Sequence, residues 1–246
     1  MRQGLMVAAM AVLAAGCSRV QDTDTQTFSS LGVGFVQGTT QAGRISYDGS
    51  AVFEEFTVTT TMWGTGSSRS RAERHLEDGG RANIGVDVDT LLVEGTSGYR
   101  SGVDFDILGP GVINTDLYVQ DGSVNLYNVT GYSRMEGDRL YGRGIAGEGD
   151  FIANGGDVDL QLFPYIDGAL IVVDSSGGDV QIGLPLYLDY DLTVTGDPDY
   201  DIVVDDLGFD PGTIAASPGL FLARRGFRDV RVDVFATGGT VQIYGI

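Results

Sequence analysis

Catalysis at neutral pH calls for nucleophiles, bases or metal ligands, and this chain of 246 residues carries few of them. His75 is its one histidine and Cys17 its one cysteine. A multi-histidine zinc site and a cysteine cluster are therefore excluded, and a Cys/His dyad would have to use these two residues. A Ser/His/Asp triad would likewise depend on His75. That residue sits in the polar segment Ser67 to Arg81, with Arg69, Arg71, Glu73, Arg74, Glu77 and Asp78, which reads as an exposed loop or short helix with a solvated histidine. Carboxylates pose the opposite problem. Among 34 acidic residues some pair will reach glycosidase spacing by chance, so their abundance is no argument for glycoside hydrolysis. The chain is not expected to be an enzyme. Calcium is the one cofactor worth weighing, because hard cations take carboxylate and carbonyl oxygens. Its candidate ligands are Asp157 and Asp159, and Asp197, Asp199 and Asp201. The latter group alternates with Pro198 and Tyr200, which more simply describes a turn entering a strand.

Cys17 has a different chemistry. Arg2 is followed by an apolar run from Leu5 to Ala15 and then by Gly16-Cys17. That order is a charged region, an apolar region and small residues at a cut. The run is shorter than the roughly 20 residues that cross a bilayer, so it reads as a leader rather than an anchor helix. Leu13-Ala14-Ala15-Gly16-Cys17 resembles a lipobox, the site at which bacterial lipoproteins are cleaved and acylated. The resemblance implies a signal peptide over 1–16, lipidation with palmitate-type chains at Cys17, and attachment to the membrane through that lipid. A lone cysteine cannot form an internal disulfide, and acylation gives it a use. Two or three acyl chains hold firmly where one holds only marginally. The same resemblance to lipoproteins implies, from Ser18 rather than Asp after the cysteine, export to the outer membrane, with the domain periplasmic or surface-exposed.

A formal net charge of −19 excludes nucleic acid as a partner, which demands a basic face. It also argues against docking of the domain itself on an anionic lipid surface. All 15 basic residues are Arg, so lysine-dependent sites such as a P-loop are impossible. With 38 Gly, only 6 Pro and 42% apolar residues, the mature part reads as packed and turn-rich.

These residues must be positioned by strands. The polar stretch 17–30 is expected to be a flexible tether. Beyond it the helical period disappears, and period-two or β-branched runs follow one another: Val52 to Thr61, Ile84 to Val88, Val103 to Leu108, Thr115 to Val119, Ala169 to Val173, Asp201 to Val204 and Asp229 to Phe235. The fold class is all-β. A Gly-x-Val-x-Leu/Ile pattern recurs at Gly122 to Leu126, Gly156 to Leu160, Gly178 to Ile182 and Gly239 to Ile243. Its valines and leucines, two apart, are expected to point inward. Such short strands fit stacked coils of a β-solenoid of about 20 residues each, or the hairpins of a β-sandwich, and spacing alone does not separate the two.

From about Gly95 to Ile246 the chain resembles the candidate adhesin domains of bacteria, the auto-transporter adhesin-like or head GIN type. The resemblance is carried by Phe105-Asp106-Ile107-Leu108-Gly109-Pro110, by Leu117 to Val124, by Asn128-Val129-Thr130-Gly131, by Ser176 to Pro185, by Asp191 to Thr195 and by the closing Gly238 to Ile243. It implies a single-stranded β-helix over 95–246 with no catalytic residues to transfer. It departs from the family spacing at Ile145 to Pro164 and Asp205 to Pro218, where a coil is expected to loop out. The less repetitive 31–94 is then expected to form an N-terminal β cap, with Trp63 as an apolar lid. The function implied is adhesion or interaction with a surface protein or glycan. Structural or envelope-assembly lipoprotein is the alternative, and carbohydrate-active enzyme ranks behind both.

Overall fold

The computed structural model describes residues 18–49, 54–205, 207–227 and 230–246, so the leader over 1–16 and Cys17 lie outside the described residues. In chain order it contains β1 (Ser18–Ser29), β2 (Phe35–Gly49), β3 (Glu55–Gly66), α1 (Arg69–Gly79), β4 (Arg81–Asp87), β5 (Thr90–Thr96), β6 (Ser101–Gly109), β7 (Asn114–Tyr127), β8 (Ser133–Gly137), β9 (Arg139–Ala146), β10 (Gly149–Ala153), β11 (Val158–Phe163), β12 (Leu170–Ser175), β13 (Val180–Leu184), β14 (Tyr190–Gly196), β15 (Ile202–Val204), β16 (Ala215–Ser217), β17 (Leu220–Arg225), β18 (Arg231–Ala236) and β19 (Val241–Gly245). The protein is all-β, with these strands in one large mixed sheet.

Most pairings are parallel and fall into two ladders. Ladder A runs β5, the first half of β2, the first half of β7, β8, β10, β12, β18, β14. Ladder B runs β6, the second half of β2, the second half of β7, β9, β11, β13, β19, β15. Each layer therefore takes one strand, or half-strand, from each ladder in succession along the chain. Parallel neighbours need a return connection. It follows a short third side, where Val112, Thr130 and Ala146 bridge in parallel. In the middle of the stack Leu140 pairs with Val158 and Val158 with Val180, offsets of 18 and 22 residues (140 to 158, 158 to 180).

Alternate residues of each strand face inward, as the period of two requires. Val124, Leu126, Val158, Leu160, Val180, Ile182, Val241 and Ile243 are each at most 1% exposed, as their spacing predicts. Val158 stacks on Val180 and Val180 on Val241, while Leu160 stacks on Ile182 and Ile182 on Ile243. The Gly-led repeats are thus layers of one column. The corner glycines pack backbone on backbone: at Gly239, φ +77, a Cβ would lie 2.0 Å from the Gly178 carbonyl oxygen.

The layer order is not the chain order. β2 lies between β5/β6 and β7, although it precedes both. β18/β19 lies between β12/β13 and β14/β15, although it follows both. The expected β cap over 31–94 is corrected accordingly, because β2 is an inner layer whose buried Val36, Ile45 and Tyr47 complete the core. What covers that end of ladder B is β3 and then β1, both antiparallel. The expected tether is corrected too: Ser18–Ser29 is a strand paired along its length with β3. Period-two threonines suit an extended chain whose two faces are both wet, and the Oγ atoms of Thr23 and Thr61 and of Thr25 and Thr59 lie 3.3 and 3.2 Å apart across the pair. Trp63 is no lid. It lies half-buried on β3 against Gly102, and its indole N–H donates to Asp104 at 3.1 Å. Ile145 to Pro164 is not looped out, since β10 and β11 form a regular layer there, whereas Asp205 to Pro218 leaves the ladders and leads into the antiparallel strands β16 and β17.

Candidate functional site

Inward side chains fill the core, so any binding chemistry falls to the outward positions of the ladders. On ladder B these bring together residues far apart in sequence: Ser123 beside Arg139, Asn125 beside Tyr141, Tyr127 beside Arg143 and Tyr141 beside Asp159. Tyr127 and Tyr141 pack as tilted rings with centroids 5.7 Å apart. The Arg143 guanidinium lies 4.2 Å from the Tyr141 ring centre and pairs with Asp159 at 2.5 Å. Burial alone would lower the Arg143 pKa, but the hydrogen bond and charge of Asp159 outweigh it and hold the guanidinium above its ordinary value. Burial, and then the neighbouring Tyr141, push the Tyr127 hydroxyl up. Tyr127 therefore stays protonated and Arg143 charged at neutral pH.

Beside this cluster Ser123, Asn125, Tyr127, Arg139 and Tyr141 line an open depression of about 490 Å³. It offers an aromatic face, a hydroxyl, an amide and a guanidinium within one span of sheet, a set suited to a polyhydroxylated ligand lying flat. Nothing in it resembles a nucleophile with its base. A second depression, of about 420 Å³, lies on the outward side of ladder A beside Tyr132, Arg134 and Asp150. There Tyr132 donates to Asp150 at 2.7 Å, and burial together with that bond pushes the Tyr132 hydroxyl up to about 12. Asp174, also on its rim, is exposed, so no buried carboxylate pair forms there.

Of the aspartates weighed as calcium ligands, Asp157, Asp159 and Asp197 each have a separate partner. An Asp157 carboxylate oxygen accepts the Asp179 backbone N–H at 3.0 Å, and Asp179 in turn accepts that of Thr240 at 2.9 Å, so each closes the corner of the next layer. Asp159 points outward to Arg143. Asp197 accepts the backbone N–H of Asp199 at 2.9 Å within a turn, and the Asp201 carbonyl accepts from Val241. Among the described residues no three His, Cys, Asp or Glu side chains gather closely enough to hold a metal ion. His75 lies on the short helix α1, one of the two expected alternatives, and is more than merely solvated. Its Nδ1 is 2.6 Å from the Thr65 carbonyl oxygen and its ring meets Tyr99 edge-on.

Sequence reasoning did not single out Tyr127, Tyr141 or Arg143. The available signal was parity: Asn125 and Tyr127 are the outward residues of the first Gly-led repeat, and Tyr141 occupies the same column one layer on.

No family model matches the chain, and no curated protein is a significant match. Among solved structures it is similar to a candidate cell adhesion protein from Clostridium sporogenes, 12% identical, covering 92% of this chain and 100% of that one, with a TM-score of 0.49. It is also similar to a candidate adhesin from Bacteroides fragilis, 12% identical over 91% of this chain and 97% of that one, with a TM-score of 0.30.

Proposed function

We propose that this protein is a lipid-anchored adhesion protein of the bacterial outer membrane. Its two ladders wind as a single-stranded β-solenoid, and its ladder B flank binds a glycan. From β5/β6 to β14/β15 such a winding extends roughly 34 Å at about 4.8 Å per layer, enough to present an extended side. The observation that carries the reading is the Tyr127–Tyr141–Arg143 cluster beside its open depression. Exposed aromatic rings on a rigid sheet bind a flat apolar face with little loss of side-chain entropy, and Asn125, Ser123 and Arg139 supply the hydrogen bonds that orient it. This is binding chemistry without a reacting group.

A glycan array probed with the wild-type protein tests the proposal. Tyr141→Ala should weaken binding to any glycan retained by about tenfold or more, as expected for an aromatic anchor at the centre of a small interface. It should leave the thermal transition nearly unchanged, because Tyr141 is 36% exposed. Retention of glycans unaffected by both Tyr127→Ala and Tyr141→Ala would place the activity elsewhere, and retention of none would favour the structural envelope role. The anchor is tested by mass spectrometry of the N-terminal peptide. The expected species begins at an acylated Cys17, and an unmodified thiol there would remove the lipoprotein part of the proposal.

A further inference from the structure

In a chain of net charge −19, a cluster of arginines gathers at one end of the stack. Ser18 pairs with Gly66, which leads through Ser67 and Ser68 into α1. The Ser68 side chain caps α1 by accepting the Arg71 backbone N–H, and Gly64 and Gly66 let the helix approach β3 so closely that a Cβ at Gly64 would meet the Ala72 carbonyl oxygen at 2.3 Å. The first half of the helix therefore lies beside the start of β1, with Arg69, Arg71 and Arg74 exposed. Arg100 joins them, since its carbonyl accepts the backbone N–H of Thr65, next to Gly66 in the chain. Among the described residues Arg71, Arg74 and Arg100 enter no ion pair, and only Arg69 is matched, by Glu73. The remaining acids of α1, Glu77 and Asp78, lie toward its far end. Tyr99 stands 73% exposed in the same patch, packed edge-on against His75 and under the Arg100 guanidinium.

We infer that this end is a membrane-docking surface: Arg69, Arg71, Arg74 and Arg100 engage anionic lipid headgroups, with Tyr99 at the interface. The inference rests on acylation of Cys17, which is bonded directly to Ser18, so the arginine patch stands at the point where the lipid enters the bilayer. Arginines and interfacial tyrosines are the side chains that anionic headgroups and the membrane boundary select. The net charge of −19 argues against docking through the domain as a whole, but charges more than about 8–10 Å from the surface are largely screened at physiological salt, and at this end the four arginines outnumber the three acids of α1, Glu73, Glu77 and Asp78. Contact at this end fixes the orientation of the stack, whereas the lipid alone would let it pivot.

The test uses the full acylated protein in vesicles of phosphatidylcholine alone or mixed with phosphatidylglycerol. A Ser70→Cys variant carries an environment-sensitive fluorophore beside the arginines, and a Ser217→Cys variant carries it on β16 at the other end. The Ser70 probe should brighten about twofold more in the anionic vesicles and the Ser217 probe should not. The difference should vanish in Arg69→Gln/Arg71→Gln/Arg74→Gln and at about 1 M salt, where screening acts within roughly 3 Å. Equal signals from Ser70 in both vesicles, or an equal response at Ser217, would overturn the inference. Flotation with phosphatidylcholine vesicles reports the anchor separately. Should that fail, arginine-dependent flotation with anionic vesicles still supports docking, and flotation with neither overturns it.

Discussion

Deleting residues 228–246, and with them β18 and β19, is expected to unfold the whole C-terminal third of the protein rather than fray one end. The reason is layer order. β12 and β14 both pair with β18, on opposite sides, and β13 and β15 both pair with β19. The deletion also removes Val230, Val232, Val234, Val241 and Ile243, all at most 1% exposed. At roughly 1.5 kcal/mol per side chain, the low end for full burial, the five contribute about 8 kcal/mol, comparable with the roughly 5–15 kcal/mol that holds a domain folded. Native-state hydrogen exchange is the measurement. Amides of β14, β15 and β17 should lose protection entirely and those of β12 and β13 in large part, while β2 and β7 stay protected. Full protection of β14 in the truncated chain would mean that it can close directly on β12, and that the last two strands are dispensable.

Gly239→Ala should cost more than about 3 kcal/mol, whereas Gly212→Ala should cost only about 1–2 kcal/mol. Both residues have similar positive φ, +77 and +85, so both substitutions carry comparable backbone strain. They differ in surroundings: nothing lies within 4 Å of a Cβ at Gly212, but at Gly239 that atom would be 2.0 Å from the carbonyl oxygen of Gly178. Backbone cannot rotate away as a side chain can, so the layers must separate locally. Urea denaturation of the two variants reads the difference directly. Equal costs would show that only dihedral strain matters at these two glycines, and that the close stacking of layers contributes little.

The legible part of this fold was its local grammar. Valine and leucine two residues apart after a glycine identified inward positions, because strand parity depends on nothing distant. Partner choice was hidden. The layer between the first and second Gly-led strands, Asp138-Arg139-Leu140-Tyr141-Gly142, escaped notice because glycine takes the second inward position, where a Cβ would strike Ile145 at 2.4 Å. Ile145 fills that room instead, and the register shifts beside it. The offset of 61 residues between the last two copies (178 to 239) reflects the excursion through β14 to β17, which no spacing rule contains. β1 was missed for another reason. A strand with polar residues on both faces lacks the apolar alternation by which strands are recognised. The tyrosine–arginine cluster was hidden by the same layer, since Tyr141 meets Tyr127 only once Leu140 is placed beside Val124.

The two out-of-order insertions also set a timetable. β2 finds its partners only when residues 90–127 are present, and the space between β12/β13 and β14/β15 stays empty until the final strands arrive. Contacts this distant along the chain form late, because loop closure precedes any gain from pairing. A polypeptide emerging N-terminus first can therefore seat β2 once residue 127 is out, whereas its C-terminal third stays open until the last two strands arrive.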